Sequence, residues 1–465
     1  MSSKSTARSN RANRPSFRCA ECGWAASKWV GRCGECQAWG TVEEVGVPTV
    51  RTTVAAPVSQ PARPIAEVDA ESASSEPTGV EELDRVLGGG LVPGAVVLFA
   101  GEPGVGKSTL LLDVASEVAS RGRQVLYVTG EESAAQVRLR AERIGALRPR
   151  LYLAAETDLA TLLGQVDQVE PDLLIVDSVQ TVSSAQVDGA AGNVSQVREV
   201  AGALIRVAKE RNISTLLVGH VTKDGSIAGP RVLEHLVDVV CQFEGDRHSR
   251  LRMVRAVKNR YGPTDEVGCF ELSDVGIKGL PDPSGLFLSR SEEPTPGTCV
   301  TVTLEGRRPL VVEVQGLLVP MGNSSPRRAT SGLDSSRVAM ILAVLNSRLQ
   351  LRTSSKDAFV ATVGGVRLSE PASDLAVALA LASAGMDAPL PARMTAFGEV
   401  SLSGEVRPVT GVTRRLQEAA RLGFTSALVP AGTVDTTPAP DGLKVVEVRH
   451  VHEAVMRTIV IPRPA

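Results

Sequence analysis

No apolar run in this 465-residue chain reaches the roughly 20 residues that a bilayer-spanning helix needs. The longest, at 375–384, has the length of a core helix. The N-terminus lacks the apolar stretch of a secretory signal, so a cytoplasmic chain that makes no membrane contact is expected. Net charge is missing too, since 50 Lys and Arg stand against 52 Asp and Glu, leaving −2. That excludes a polycation binding nucleic acid by bulk charge; any such contact must come from local basic patches. There is no even, regularly spaced set of cysteines. Of the seven present, four cluster at metal-ligand spacing, which fits a reducing compartment better than a disulfide framework. Tryptophan occurs only at Trp24, Trp29 and Trp39.

With 43% hydrophobic and 22% charged residues, the chain is globular in composition and long enough for two or three domains. Its most specific stretch is Gly101-Glu102-Pro103-Gly104-Val105-Gly106-Lys107-Ser108-Thr109, which fits G-x-x-x-x-G-K-[ST] without a mismatch. Residues 95–100 read as a buried strand and 110–120 as a helix, the setting a phosphate loop requires. Backbone N–H groups and the helix N-terminus would cradle an ATP triphosphate. Lys107, read as a solvent-facing loop residue, would neutralise the β- and γ-phosphates, and Ser108 would hold Mg²⁺.

Nearer the N-terminus, Cys19-x-x-Cys22 and Cys33-x-x-Cys36 can place four thiolates around one Zn²⁺ as a closed structural site. The three tryptophans are expected to pack as a small core around that metal; stacking on nucleic-acid bases is the other reading. Residues 1–18 read as a disordered basic tail, 19–45 as the C4 zinc finger and 46–77 as a Pro-, Ala- and Ser-rich linker.

From 78 onward, apolar strands at 95–100, 124–129, 172–176 and 214–219 alternate with helices, as in a mainly parallel sheet covered on both faces. Ligands of such sheets bind at the carboxyl ends of the strands, where Glu131, Glu132, Asp177 and His220 fall. Asp177 reads as the acid that orients Mg²⁺. Glu131 is the candidate general base with Glu132 its rival. His220 reads equally as a phosphate sensor or a structural hydrogen-bonder. Lys223 and Arg231, in a glycine-bearing loop, are candidate DNA contacts. Residues 251–258 read as a further strand. If it continues to Arg260, Lys258 and Arg260 leave the sheet on one side. Cys241, Cys269 and Cys299 have no ligand spacing and read as small apolar residues.

The zinc knuckle, G-E-P-G-V-G-K-S-T, Y-V-T-G-E-E-S, the V-D-S at 176–178 and Lys258-Asn259-Arg260-Tyr261-Gly262 follow one another in an order that resembles the bacterial RadA (Sms) family. The resemblance runs over nearly the whole chain. It implies an α/β fold with a RecA-like P-loop ATPase at 78–290, an N-terminal zinc ribbon and a C-terminal α+β domain like that of Lon proteases at 291–465. It also implies a DNA-dependent ATPase that promotes branch migration in recombination and repair. Single-stranded and branched DNA and a RecA-type recombinase would be partners, and the assembly would be a homo-oligomer, a ring of six subunits. In RecA-like proteins the segment matching Lys258 and Arg260 lies at the subunit interface, which makes the pair candidate fingers onto a neighbour's γ-phosphate; DNA phosphates are the alternative.

The stretches G-G-V-R-L-S-E-P-A-S-D-L-A and G-E-V-S-L-S-G-E-V-R-P-V carry the Lon resemblance. Ala372 stands where Lon has its serine nucleophile, and about Thr413 stands where Lon has its lysine, so a peptidase is disfavoured. Ser373 would face another side of its helix. Arg414, Arg415 and Arg421 are candidate phosphate contacts or a solvated basic face. A P-loop signalling ATPase is a further alternative, suggested by T-G-V-E-E-L-D-R-V-L-G-G-G-L.

Overall fold

The computed structural model describes residues 17–44, 62, 64–67, 74–220, 232–245, 250–289, 293–321 and 326–459. The chain divides into two units, Met1–Asp69 and Ala70–Ala465.

In the first unit, β1 (Phe17–Cys19) is flanked by the antiparallel strands β2 (Ala25–Ala26) and β3 (Val42–Glu44). Phe17 and Arg18 thus belong to the ribbon and not to the preceding tail. Cys19, Cys33 and Val42 are its buried residues, with Phe17, Trp24 and Val30 packed against them. The expected three-tryptophan core does not form: Trp29 is 65% exposed and Trp39 is 74% exposed. So small a ribbon has no second layer to cover three indoles; what it can bury is mainly the metal ligands.

The second unit begins with α1 (Glu81–Leu87), ended by Gly88 in the left-handed conformation. There follow β4 (Val96–Gly101), α2 (Lys107–Ser120), β5 (Val125–Thr129), α3 (Ala134–Arg143), β6 (Leu151–Ala155), α4 (Leu159–Val169), β7 (Leu173–Asp177), α5 (Val194–Arg211) and β8 (Ser214–His220). Four more strands close the sheet: β9 (Val239–Glu244), β10 (Leu251–Asn259), β11 (Val267–Ser273) and β12 (Gly276–Gly279). The nine strands lie in the order β12-β11-β10-β9-β4-β8-β7-β5-β6. From β9 to β6 neighbours are parallel; from β9 to β12 they are antiparallel.

Alternation along β4 assigns the two faces. Val97 and Phe99 pack with α1, α2 and α3, while Val96 and Leu98 pack with α4 and α5. A strand buried on both sides must be apolar throughout, as 96–100 is.

The C-terminal sheet has the order β15-β16-β14-β13-β17-β20-β21. Its strands are β13 (Thr298–Glu305), β14 (Arg308–Pro320), β15 (Arg328–Ser331), β16 (Lys356–Thr362), β17 (Met394–Ala396), β20 (Ser426–Pro430) and β21 (Lys444–Val448). The two-residue strands β18 (Glu399–Val400) and β19 (Val406–Arg407) form a separate ribbon. Helices α6 (Ser335–Arg348), α7 (Asp374–Met386) and α9 (Val451–Thr458) cover one face and α8 (Val412–Arg421) the other. Helix α7 is buried from Asp374 to Ser383, which is why its sequence shows no polar stripe.

The two sheets of this unit interlock at the β13–β14 turn. Arg308 pairs with Glu82 of α1 and donates to the carbonyls of Val267, Leu280 and Pro281 at 3.1, 3.0 and 2.7 Å. Both partners are buried. A side chain at Gly306 would lie 2.3 Å from the Asp265 carbonyl oxygen, so the turn fits only with glycine. Among the described residues no helix is long and apolar enough to cross a membrane.

Candidate nucleotide site and metal centre

Four adjacent strands, β4, β8, β7 and β5, end at one rim of the P-loop sheet. Gly101, His220, Asp177 and Gly130-Glu131-Glu132 therefore converge there. Of these, Glu131, Glu132 and His220 border a cavity of about 950 Å³ that the phosphate loop opens into.

Lys107 is the first residue of α2 and is only 3% exposed, so it does not face solvent as the sequence reading expected. Its Nζ donates to the carbonyls of Gly101 at 2.8 Å and Glu102 at 3.0 Å, folding back over its own loop. Burial lowers its pKa to about 8, against the opposing pull of the Asp177 and Glu131 charges.

Asp177 is buried and accepts a hydrogen bond from the Tyr127 hydroxyl at 2.7 Å. The Asp177–Ser178 peptide bond is cis. Ser178 Oγ donates to Glu131 Oε1 at 2.7 Å. His220 Nε2 lies 2.9 Å from the same oxygen, off the line of a straight hydrogen bond. The proximity of His220, then Ser178 and the Lys107 charge, holds the Glu131 carboxyl at about pKa 2 despite its partial burial.

Glu132 borders the same cavity but pairs with Arg140 of α3. The neighbouring acids are thus separated: Glu131 looks at the phosphate loop and Glu132 is held by a helix. Gly130 is required between strand and acids, because a side chain there would lie 2.1 Å from Thr181 Oγ1. The Gln180 amide brackets the backbone of His220, donating to its carbonyl at 3.1 Å and accepting from its N–H at 3.2 Å.

The cavity wall also carries Arg140, Arg143, Arg250 and Arg252. Arg252 Nε donates to the Val105 carbonyl at 3.1 Å and ties β10 to the phosphate loop. With Lys107, these cations make a cleft that suits a polyphosphate. Sequence reading missed them and Gln180, because none has a motif spacing of its own; Tyr127 and Ser178 lay inside the quoted Y-V-T-G-E-E-S and V-D-S stretches but were given no role. The one usable signal was the pair Arg140 and Arg143 at i, i+3, one turn apart on the helix that follows the G-E-E acids.

Lys258 and Arg260 lie at the opposite end of the sheet. Strand β10 stops at Asn259, so Arg260 is outside it, and its register shifts between Ala256 and Lys258. The cations still gather at one place. Lys258 Nζ donates to the carbonyls of Glu234 and Val237, each at 2.7 Å, and Arg260 pairs with Asp238 at 3.0 Å. Asp238 also accepts from the N–H of Val96, at the start of β4. The phosphate loop begins at the other end of β4, about 17 Å away for a strand of this length. Lys223 and Arg231 lie outside the described residues.

In the C-terminal sheet the Lon-like positions hold no dyad. Ala372 and Ser373 are buried, and Ser373 Oγ donates to the Glu370 carbonyl at 3.1 Å. Arg415 is not available to DNA, contrary to the sequence expectation. It is fully buried, makes two 2.7 Å hydrogen bonds to the Glu370 carboxylate and lies over the Phe397 ring. Arg421 pairs with Glu418 and Asp282 at the surface. Cys241, Cys269 and Cys299 are buried, and burial raises all three thiol pKa values.

The four N-terminal cysteines fit a zinc ion. Their sulfurs all lie within 4.8 Å of one another, with Cys19–Cys36 at 3.7 Å and Cys22–Cys33 at 3.5 Å. Tetrahedral Zn–S bonds of about 2.3 Å require sulfur–sulfur edges of about 3.8 Å.

The comparisons with known proteins agree with this arrangement. The family described as AAA domain matches residues 61–226, the rubredoxin metal binding domain matches 17–44, and subunit ChlI of Mg-chelatase matches 343–433. The chain is 56% identical to the DNA repair protein RadA of Mycolicibacterium smegmatis over 96% of its own length and 98% of that protein's. The chain belongs to the RadA family of DNA repair proteins. RadA of Mycobacterium tuberculosis is likewise 56% identical, over 92% of this chain and 90% of that one. RadA of Streptococcus pyogenes is 45% identical over 94% and 97%. Membership of the RadA family and the AAA match imply ATP and Mg²⁺ at the phosphate loop, and the metal-binding match implies Zn²⁺ on the four cysteines.

Proposed function

We propose that this chain is a DNA-dependent ATPase that drives branch migration of recombination intermediates. It would work in the cytoplasm as a homo-oligomeric ring, with six subunits the expected number, beside a RecA-type recombinase on single-stranded and branched DNA. The observation that carries the reading is the placement of Glu131 between Ser178, His220 and the phosphate loop of Lys107, in a chain similar to RadA proteins along nearly its whole length.

The residues divide the work. Gly101 to Thr109 cradle the triphosphate, and Lys107 leaves its two carbonyl partners for the β- and γ-phosphates. Ser108 and Asp177 would hold Mg²⁺, which would supply neutralisation of the charge on the phosphates when bound. Tyr127 fixes the Asp177 carboxylate. Glu131, ionised at any physiological pH, accepts a hydrogen bond from the attacking water and orients it. His220 touches both Glu131 and, through Gln180, the segment after β7, so it can report the phosphate's presence to residues 221–231. Lys258 and Arg260 are too far along β4 to serve their own phosphate loop, which supports a role on a neighbouring copy's nucleotide. The Lon-like sheet serves as a non-catalytic scaffold.

The test is a three-strand branch-migration assay with ATP and with a non-hydrolysable analogue, with and without recombinase. The reading requires ATPase stimulated by single-stranded DNA and junction movement that stops with the analogue. Hydrolysis indifferent to DNA, or cleavage of casein by the chain, would refute it.

A further inference from the structure

We propose that the zinc ribbon is a base-stacking platform for single-stranded nucleic acid, with Trp29 and Trp39 as its two stacking faces. The inference rests on the DNA-dependent reading above and assigns part of that contact to a definite surface.

Both rings stand out of the ribbon, 65% and 74% exposed. They converge on Gly31, where an added methyl group would lie 3.6 Å from Trp29 Cη2 and 4.0 Å from Trp39 Cζ3. The backbone holds Trp39 beside Gly31: Arg32 bridges Trp39 in antiparallel register, and Gly40 N–H donates to the Gly31 carbonyl at 2.9 Å. The Arg32 guanidinium sits 5.6 Å from the centre of the Trp39 ring and is fixed on Gln37 by hydrogen bonds of 2.9 and 2.6 Å. Lys28 is exposed next to Trp29. An indole with a cation beside it is the pairing that single strands use, a π-face for the base and a charge for the phosphate. Neither ring is needed for the fold, since Trp24 alone packs on the metal-site core.

The charge balance sharpens the expectation. Glu21, Glu35, Glu43 and Glu44 outnumber Arg18, Lys28 and Arg32 in this segment. Only Lys28 and Arg32 stand beside the two rings, so counterion release at this surface should contribute a salt slope of no more than about 1.4, with stacking carrying the rest.

The three tryptophans of the chain all lie in this ribbon, so the tryptophan emission of the full-length protein reports on the ribbon, with Trp24 of its core as a background that the double variant isolates. The test follows two signals during titration with oligo(dT): anisotropy of the end-labelled oligonucleotide and tryptophan emission. Binding should quench emission. Trp29→Ala/Trp39→Ala should retain one zinc and abolish the quenching. Its affinity should fall by roughly 5- to 150-fold for each ring lost, and Trp29→Phe/Trp39→Phe should recover most of it. Lys28→Ala/Arg32→Ala should lower the salt slope by about 1.4. Anisotropy that reports binding while emission stays constant overturns the platform and leaves the DNA-dependent reading standing. Quenching by a recombinase and not by oligo(dT) also overturns it, assigning the rings to a protein partner. Absence of any binding with ATP present overturns both readings.

Discussion

Glu131 and His220 meet at 2.9 Å across the ends of β5 and β8. This contact, with the Ser178 hydrogen bond, keeps the Glu131 carboxyl near pKa 2. A depressed carboxylate contributes stability above its ordinary pKa of 4.5 and loses it as pH falls from there towards about 2. The acid is therefore not what limits activity near neutrality.

The basic limb belongs to Lys107. Its folded pKa of about 8 lies below the ordinary 10.5, so the charge that meets the triphosphate is lost as pH rises through about 8. Burial disfavours that charge in the fold, so the fold gains stability between about 8 and 10.5 while ATP affinity falls. We expect kcat/KM for ATP to decline above about pH 8, with kcat at saturating ATP holding to higher pH because bound phosphate favours the ammonium. Lys107→Ala should reduce turnover by roughly 10²–10³-fold and abolish this limb, as read by steady-state kinetics across pH.

Elemental analysis of protein purified under reducing conditions should find one zinc per chain. Cys33→Ser should lower that to near zero, since a buried ligand of a closed four-thiolate site has no substitute nearby. Circular dichroism and tryptophan emission should change with metal loss in the ribbon. A folded, metal-free ribbon would refute the site.

Arg415→Ala should destabilise the C-terminal sheet by about 3–5 kcal/mol, because it strands a carboxylate that is mostly buried. Burial works against the charge of Glu370, and the two hydrogen bonds from Arg415 outweigh it, holding the carboxyl below its usual range. Loss of this pair should show as an earlier second-unit transition in calorimetry, and wild-type stability should itself decline as pH drops through the carboxylate range. DNA affinity at permissive temperature should be unchanged, which separates this residue from a phosphate contact.

Mixing Lys107→Ala subunits with Lys258→Ala/Arg260→Ala subunits tests the assembly. The first keeps its fingers with a dead loop; the second keeps its loop without fingers. Mixed rings should recover part of the DNA-stimulated ATPase that both parents lack. No recovery in rings shown to be mixed would return the two cations to DNA or to their internal partners on Asp238, Glu234 and Val237.

The P-loop half of the fold was legible because its signals are local. A six-residue apolar strand, a glycine-bounded loop and a capped helix each declare themselves within a short window, and strand ends follow from them. Strand β6 was not, because residues 151–155 carry only partly buried alternation at the sheet edge; helix α4 was also passed over, although Leu159, Leu162 and Val166 recur at helical spacing after the Asp158 cap. Arg415 was misread for a related reason. A cation on an amphipathic helix has the same sequence appearance whether it faces water or a carboxylate on a distant element, and Glu370 lies 45 positions away. The tryptophans were misread because an indole's hydrophobicity says nothing about whether enough chain is present to cover it. Separating Glu131 from Glu132 needed the third dimension, since adjacent acids differ only in which way the backbone turns after Gly130.

The β13–β14 turn, clamped by Arg308 on Glu82, leaves the two sheets of this unit without a free hinge at that point. Parting them there would strand a buried carboxylate and release three backbone carbonyls from the same guanidinium, so the Lon-like sheet should unfold with the P-loop sheet more readily than it swings away from it.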